Sequence, residues 1–241
     1  MNELKPLIIS PPFGNYINRP YATSVEGSFT YQRREGLIYH SLRSIRPVKG
    51  GWRNQIGLRN PGIQNVIIRD DAITSVVGGF APPGLNATGA DWRVMLNYLP
   101  SWAWPEVNLS CPNVHEYNIS PETLAMYQQR FPNVIAKLPP TPQVDAMAAM
   151  CIEVGIKYLH LSNTIPTERG GISGEQLFEV NLPIVRRIAE RYGDKVIIIA
   201  GGGIYSLRQL MAYQSAGAKH FSISSIFFTP WRVSKVTAFF K

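Results

Sequence analysis

Short apolar runs alternate with longer amphipathic stretches from about residue 73 onward. The short runs, rich in β-branched residues, are "ITSVVGGF", "WPEVNLS", "VIAKL", "YLHLSNT", "VIIIAGGG" and "HFSIS". Between them, apolar residues recur every three or four positions in "ADWRVMLNYL", "SPETLAMYQQRF", "QVDAMAAMCIEVG", "GEQLFEVNLPIVRRIAERYG" and "SLRQLMAYQSAG". Strands that alternate with amphipathic helices are typical of βα units built around a parallel sheet.

Two further predicted strands, "PLIIS" and "ATSVEGSFT", precede these runs and bring the number to eight. Eight strands in 241 residues favour an α/β fold with a single (β/α)8 TIM barrel over residues 1–241. A doubly wound parallel sheet is the alternative, because periodicity alone does not separate the two. The intervening "PPFGNYINRPY" is too short and too rich in Pro and Gly for a full helix, so we predict a contracted first βα unit.

The composition is that of a globular protein, with 45% hydrophobic and 17% charged residues. No stretch approaches the roughly 18 apolar residues of a membrane span, and the apolar part of "MNELKPLIIS" is too short for a signal peptide. We therefore predict a cytoplasmic protein that does not contact a membrane. Two cysteines cannot build a disulfide scaffold, and the histidines lack metal spacing, so we predict no metal.

The net charge of +8 would attract anions of any kind, including nucleic acid. Much of the excess lies in early arginines that are dispersed among Gly, Pro and aromatic residues instead of forming a tract. Nucleic-acid binding is therefore not favoured.

Polar or glycine residues follow five successive predicted strands, where both candidate folds place their functional groups. These residues are Asn108 and Cys111, Lys137, Asn163 and Thr164, Gly201 to Gly203, and Ser224 and Ser225. The "GGGI" corner is either a tight turn or a phosphate site formed by backbone N–H groups, and the serines after the next strand favour the phosphate. Lys137 at a strand end would place its charge near a bound anion.

The two cysteines differ in their surroundings. Cys111 lies between Asn108 and Asn113, whose amides could hold a planar, imide-like ring while the thiol acts as an acid or base. The alternative is a small buried side chain. Cys151 falls on the apolar face of a predicted helix, and we interpret it as core. His160 alternates with apolar neighbours and is interpreted as a packed strand residue.

Taken together, the motifs resemble those of the dihydroorotate dehydrogenase family. The segments that carry the resemblance, in the family's order and over most of the chain, are "GSFT", "NQIGLRNPG", "VNLSCPNV", "IAKLPP", "LSNT", "GGISG" and "AGGGI". The resemblance implies an FMN-dependent oxidoreductase that acts on a CH–CH group and oxidises dihydroorotate to orotate in pyrimidine biosynthesis. Cysteine at 111 resembles the soluble class 1, since the membrane-associated class has serine there.

The resemblance also implies roles for particular residues. Cys111 would remove the substrate's C5 proton as hydride leaves C6 for the flavin, and Lys137 would stabilise the anionic reduced flavin. The residues implied around the pyrimidine are Asn54, Ile56, Gly57, Leu58, Asn108, Asn113, Asn163 and Thr164. Those implied around FMN are Ser28, Asn108, Lys137, Ser162 and Gly174, with Gly202, Gly203, Ser224 and Ser225 at its phosphate.

The chain departs from the family at the first βα unit, where the position of the family's second lysine falls at Gly27. Arg59 is the nearest arginine to the "NQIGLRN" loop and is a candidate replacement for the lysine's charge. The chain's own pattern does not name the electron acceptor, and a homodimer or an electron-transfer partner chain is compatible with the resemblance.

Two other functions compete with this interpretation. A tRNA-dihydrouridine synthase is another FMN barrel with a Cys-Pro pair near a strand end, and the positive charge would suit tRNA. Its cysteine follows glycine, however, and it usually carries a further helical domain. A barrel that binds flavin or phosphate without turnover is the second alternative, which the contracted first unit keeps open.

Overall fold

A closed barrel of eight parallel strands forms the body of the protein. The computed structural model describes residues 1, 3–34, 45–54, 59–78, 90–109, 119–167 and 170–241. The strands are β1 (Leu7–Ile9), β2 (Ala22–Phe29), β5 (Ala72–Val76), β6 (Trp104–Asn108), β7 (Ile135–Leu138), β8 (Tyr158–Leu161), β11 (Ile197–Gly201) and β12 (His220–Ile223). Around the barrel their order is β1, β12, β11, β8, β7, β6, β5, β2.

Amphipathic helices cover the outside of the later strands. They are α1 (Ala90–Leu96), α2 (Pro121–Arg130), α3 (Val144–Glu153), α4 (Leu177–Tyr192), α5 (Leu207–Ser215) and α6 (Pro230–Thr237). Ser120 and Ser206 begin α2 and α5 by accepting hydrogen bonds from backbone N–H groups of the first turn. The buried faces of these helices pack on outward-facing strand residues such as Val107, Ala136 and Leu159.

The barrel interior contains two layers of different chemistry. The lower layer is an apolar cluster made by Leu4, Ile8, Val25, Ile73, Trp104, Ile135 and Ile199. Because strand side chains alternate between faces, the residue two positions further along points inward again. Those positions carry Ser75 after Ile73, and Glu106 after Trp104. The interior therefore becomes polar toward the carboxyl ends of the strands.

A second, antiparallel sheet lies over that polar end. Its strand order is β3, β4, β10, β9, with β3 (Ile45–Val48), β4 (Gly51–Asn54), β9 (Ile165–Thr167) and β10 (Gly170–Gly174). We call it the cover sheet. Trp52 of β4 contacts the ring of Phe228 at 4.7 Å between centroids, which attaches the sheet to the chain that follows β12. The sequence pattern did not predict this sheet, whose strands are short and partly polar.

The first βα unit is contracted, as predicted. Between β1 and β2 the chain makes only one short 3-10 turn, Phe13–Asn15. Gly14 in that turn lies so close to the barrel that a Cβ would collide with the carbonyl oxygens of Val25 and Ile9. Asn15 accepts a hydrogen bond from the N–H of Gly27 (2.8 Å) and donates one to its carbonyl (3.2 Å). The turn thus takes the place of a crossover helix by bonding directly to β2.

All eight predicted barrel strands and all five predicted helices are present, with ends that differ by a few residues. Ring closure between β1 and β12 confirms the barrel and excludes the doubly wound sheet. None of the helices in the described part of the chain is both long and apolar enough to cross a membrane.

Substituting Gly14 tests the contact between the short turn and the barrel. We expect Gly14→Ala to lower the free energy of unfolding by more than about 2 kcal/mol, because the new methyl group must displace backbone atoms. Urea denaturation measures this change. Tyr16→Ala in the same turn is the control, since Tyr16 is 86% exposed and its loss should change stability by less than about 0.5 kcal/mol. Equal losses in both variants would contradict the close packing.

Candidate active site

A cavity opens between the polar end of the barrel and the cover sheet. Its walls come from the ends of β7, β8, β11 and β12, from the loop after β1, and from β3, β4 and β10. Nine of the predicted site residues line it: Asn54, Lys137, Ser162, Asn163, Thr164, Gly202, Gly203, Ser224 and Ser225. The structure therefore brings together groups that are spread over about 170 positions in the sequence.

The glycine corner after β11 forms one side of the cavity. Gly202 and Gly203 have φ angles of 81° and 78°, in the left-handed region that favours glycine. A Cβ on Gly203 would also collide with the backbone N of Phe178, at the start of α4. Among the described residues, the N–H groups of both glycines have no hydrogen-bond partner. Two such N–H groups beside a cavity are suited to binding an anion.

Ser224 and Ser225 line the same cavity, but their hydroxyls are already engaged. Ser224 donates to the carbonyl oxygen of Pro11 (2.8 Å), and Ser225 accepts from the hydroxyl of Tyr205 (3.0 Å). The Ser225 hydroxyl still has its own hydrogen to donate, whereas that of Ser224 does not. Any contact of Ser224 with an anion would therefore come from its backbone N–H.

Amide groups occupy the side of the cavity near the cover sheet. Asn54 ends β4, and Asn163 follows β8. The Asn163 side chain accepts a hydrogen bond from the backbone N–H of Thr164 at 2.7 Å, which fixes its orientation. Because its amide oxygen is engaged in this way, any hydrogen bond that the Asn163 side chain donates comes from its NH2 group.

Lys137 stands at the floor of the cavity, above a buried carboxylate. Its ammonium lies 3.7 Å from Glu106 Oε1, and Lys137 is 9% exposed while Glu106 is fully buried. Glu106 also accepts hydrogen bonds from Ser75 (2.8 Å) and from Nδ1 of His160 (2.7 Å). Burial alone would raise the pKa of Glu106, but Lys137, His160 and Ser75 together outweigh it and lower this pKa to about 2. Glu106 is therefore ionised.

His160 is buried, as predicted, but it does more than pack. Burial lowers its pKa, the charge of Glu106 opposes this, and Lys137 adds to the lowering, so the imidazole is neutral at pH 7. An ionised carboxylate only accepts hydrogen bonds, so Nδ1 carries the proton. The other ring nitrogen, Nε2, is buried and has no partner among the described residues.

Ser28 and Asn108 are not among the described cavity-lining residues but belong to the polar layer beneath it. Asn108 donates to Ser28 (2.8 Å), and the hydroxyls of Ser28 and Ser75 are 2.8 Å apart. Since Ser75 donates to Glu106, Ser28 must donate to Ser75. The bonds thus run in one direction, from Asn108 through two serines to the carboxylate. Gly174, the last predicted residue among those the structure describes, packs in the cover sheet against Gly51.

Five predicted residues lie outside the described residues: Ile56, Gly57, Leu58, Cys111 and Asn113. Their roles stay predictions. Gly27, where the family's second lysine would fall, has a φ of 108° and no room for a Cβ beside the carbonyl of Ser75. Arg59 lines a different cavity, with Gly27, Glu26 and Asn15, so it is not part of the cavity around Lys137.

Comparison with known proteins decides the family. A family model described as dihydroorotate dehydrogenase matches residues 20–238. The chain belongs to the dihydroorotate dehydrogenase family. Members of this family are oxidoreductases that act on a CH–CH group, so the predicted family and enzyme class are confirmed.

Individual relatives of the dihydroorotate dehydrogenase family agree with this assignment. The catalytic subunit of dihydroorotate dehydrogenase B (NAD(+)) from Petrotoga mobilis is 30% identical over 226 residues, covering 78% of this chain and 70% of the relative. The same subunit from Geotalea uraniireducens is 28% identical over 224 residues, covering 76% and 72%. The ligand-free dihydroorotate dehydrogenase of Eimeria tenella superimposes with a TM-score of 0.77 at 17% identity, covering 97% of this chain and 82% of that one, which shows the shared fold.

Sequence reasoning missed the residues that support Lys137. The hydrophobic pattern does not indicate Glu106 or Ser75, which both lie inside apolar strands. A signal was present, because a carboxylate two residues before Asn108 must point into the barrel on the same face. A buried carboxylate requires charged or hydrogen-bonding neighbours, and Lys137 and His160 on the next two strands are such groups.

The low pKa of Glu106 predicts a pH dependence of stability. Because its folded pKa lies below its ordinary value of 4.5, the ionised group stabilises the fold above pH 4.5, and this contribution is lost as the pH falls toward 2. At neutral pH the ionised Glu106 carboxylate contributes on the order of 3 kcal/mol to the free energy of unfolding. We expect the difference in unfolding free energy between wild type and Glu106→Gln to shrink from pH 6 to pH 3 in urea denaturation. A difference that stays constant would mean that the fold does not lower the pKa of Glu106.

Proposed function

We propose that this protein is an FMN-dependent enzyme that oxidises dihydroorotate to orotate, with Cys111 as the base. The cavity supports the proposal most directly, because it combines an anion-binding corner, a lysine charge and amide groups at the carboxyl ends of the barrel strands. Membership of the dihydroorotate dehydrogenase family supplies the substrate.

The residues present fit FMN. The two glycine N–H groups without partners and the remaining Ser225 hydrogen suit its phosphate. Lys137, on the same cavity, suits a ring that becomes negatively charged. When bound, FMN would supply the acceptor for the hydride that leaves C6 of dihydroorotate. The side chains of this chain bind and orient both molecules, and the cover sheet excludes water from one side.

Cys111 would accept the proton that the reaction releases. Oxidation of the C5–C6 bond releases a hydride from C6 and a proton from C5, and the Cys111 sulfur would take the proton as general base. Asn54 and Asn163 would hold the pyrimidine, with donors for its carbonyls and acceptors for its N–H groups. The cysteine at this position also supports the soluble class of the family.

The family assignment favours dihydroorotate over the uracil of tRNA, and leaves the dihydrouridine synthase alternative supported by the net positive charge and the Cys-Pro pair alone. A direct test separates an enzyme from a flavin carrier. Dihydroorotate is added without oxygen to the purified protein loaded with FMN, and we expect the flavin absorbance to bleach. Persistence of the yellow colour would favour a barrel that binds flavin without turnover.

Replacing Gly203 tests the FMN site. We expect Gly203→Asp to bind FMN at least tenfold more weakly, because the side chain collides with α4 and its charge repels the phosphate. FMN titration of the apoprotein, with a thermal melt to verify folding, measures this. The control is Gly193→Asp, which adds the same charge at another glycine of positive φ (52°) with open surroundings. Equal FMN affinity in all three proteins would end this assignment of the phosphate site.

Replacing Cys111 tests the base. We expect Cys111→Ala to bind orotate but to reduce FMN about 10²- to 10⁴-fold more slowly with dihydroorotate, as is usual for loss of a general base. Anaerobic stopped-flow absorbance measures the rate. Cys151→Ala is the control, since Cys151 is a buried core thiol whose pKa burial raises to about 12. Wild-type rates in Cys111→Ala would require a different base.

A further inference from the structure

The most unusual group outside the proposed reaction is the buried carboxylate of Glu106. It is fully buried, and each described neighbour that stabilises it points into the barrel from a different strand. Those neighbours are Ser75 on β5, Lys137 on β7 and His160 on β8. A carboxylate enclosed in this way is costly to bury, so its presence calls for a role beyond filling the barrel.

The charges of this cluster balance. Lys137 carries one positive charge, Glu106 one negative charge, and His160 is neutral, so the interior layer is neutral as a whole. Only Lys137 of the three lines the cavity; Glu106 and His160 are enclosed beneath it. Glu106 can therefore affect a bound molecule in two ways: by fixing where the ammonium lies, and by offsetting part of its charge.

We propose that Glu106 is a positioning residue that holds the Lys137 ammonium at the cavity floor and offsets part of its positive charge. His160 and Ser75 hold the Glu106 carboxylate in place. The expected effect on the reduction potential of bound FMN rests on the proposed function, whereas the coupling between Glu106 and Lys137 does not. The orientation is well determined. Oε1 of Glu106 meets Ser75 and Lys137, and Oε2 meets His160, so the carboxylate cannot turn without breaking one of these contacts.

The reduction potential of bound FMN reports the charge effect. Glu106→Gln keeps the shape but removes the negative charge, leaving the lysine charge unopposed. We expect the equilibrium constant for two-electron reduction to rise at least tenfold, which is about 30 mV. Glu106→Asp keeps the charge and should shift the constant by a smaller factor. A purely structural role would lower stability without changing the potential.

Thr74→Val is the matched control. Thr74 precedes Ser75 on β5 and is fully buried, and its hydroxyl has no hydrogen-bond partner among the described residues. It is not among the described hydrogen-bond or salt-bridge partners of Glu106 and Lys137. Its potential should equal that of wild type. An unchanged potential in folded, FMN-loaded Glu106→Gln, or an equal shift in Thr74→Val, would overturn the charge effect.

A double-mutant cycle on the FMN-free protein tests the coupling without flavin. Glu106→Gln, Lys137→Met and the double variant are compared with wild type in urea denaturation. We expect the double variant to lose clearly less stability than the sum of the two single losses, because each single change leaves one buried charge unpaired. If Glu106→Gln does not fold but the double variant does, the rescue of folding also demonstrates the coupling between the two residues. Additive losses would overturn the proposal.

The two experiments also separate the inference from the proposed function. A protein that takes up no FMN, yet shows coupling in the cycle, would retain the Glu106–Lys137 pair and lose the proposed flavin chemistry. A protein that binds FMN and bleaches with dihydroorotate, yet shows neither coupling nor a shift in potential, would retain its function and refute the role of Glu106.

Discussion

A charge enclosed inside a closed barrel must be compensated from within the barrel, and the polar half of this interior is arranged around that requirement. Glu106 is reached by Ser75, Lys137 and His160 from three other strands. The hydroxyls of Ser28 and Ser75 extend the arrangement to Asn108. The positions of these side chains therefore depend on one another. A single hydrogen-bonded layer, to which several strands contribute, forms the floor of the cavity.

The apolar layer below and the cover sheet above complete the site in different ways. Trp104, Ile73 and Ile135 fill the lower barrel, so water cannot reach Glu106 from that side. Trp52 and Asn54 of the cover sheet close the opposite side of the cavity. Because Lys137 is only 9% exposed, its interaction with an anion bound in the cavity is stronger than the same interaction would be in bulk water, where the dielectric constant is higher.

Much of the fold could be predicted because apolar residues recur with a different period in the strands than in the helices. Runs such as "VIIIAGGG" end at glycines that the parallel architecture places at the site, so Gly202 and Gly203 could be located from sequence. The cover sheet could not, because β3 and β9 are short and contain proline. Its two hairpins, β3–β4 and β9–β10, join through the pairing of β4 with β10, which are more than 110 residues apart in the chain. The Glu106 cluster required knowing which strands are neighbours, and that information comes from sheet order, not from any local pattern.

The seam of the barrel joins the first strand to the last. Ser10 and Ser222, which share a hydrogen bond of 2.7 Å across it, are 212 residues apart in sequence. Bringing such distant segments together costs more loop-closure entropy than pairing neighbouring βα units, and non-local pairing slows folding. We therefore expect the units from β5 to β12 to associate before β1 docks. The short turn at Gly14 and the β1–β12 ladder would then be the last parts of the barrel to form during folding and the first to open.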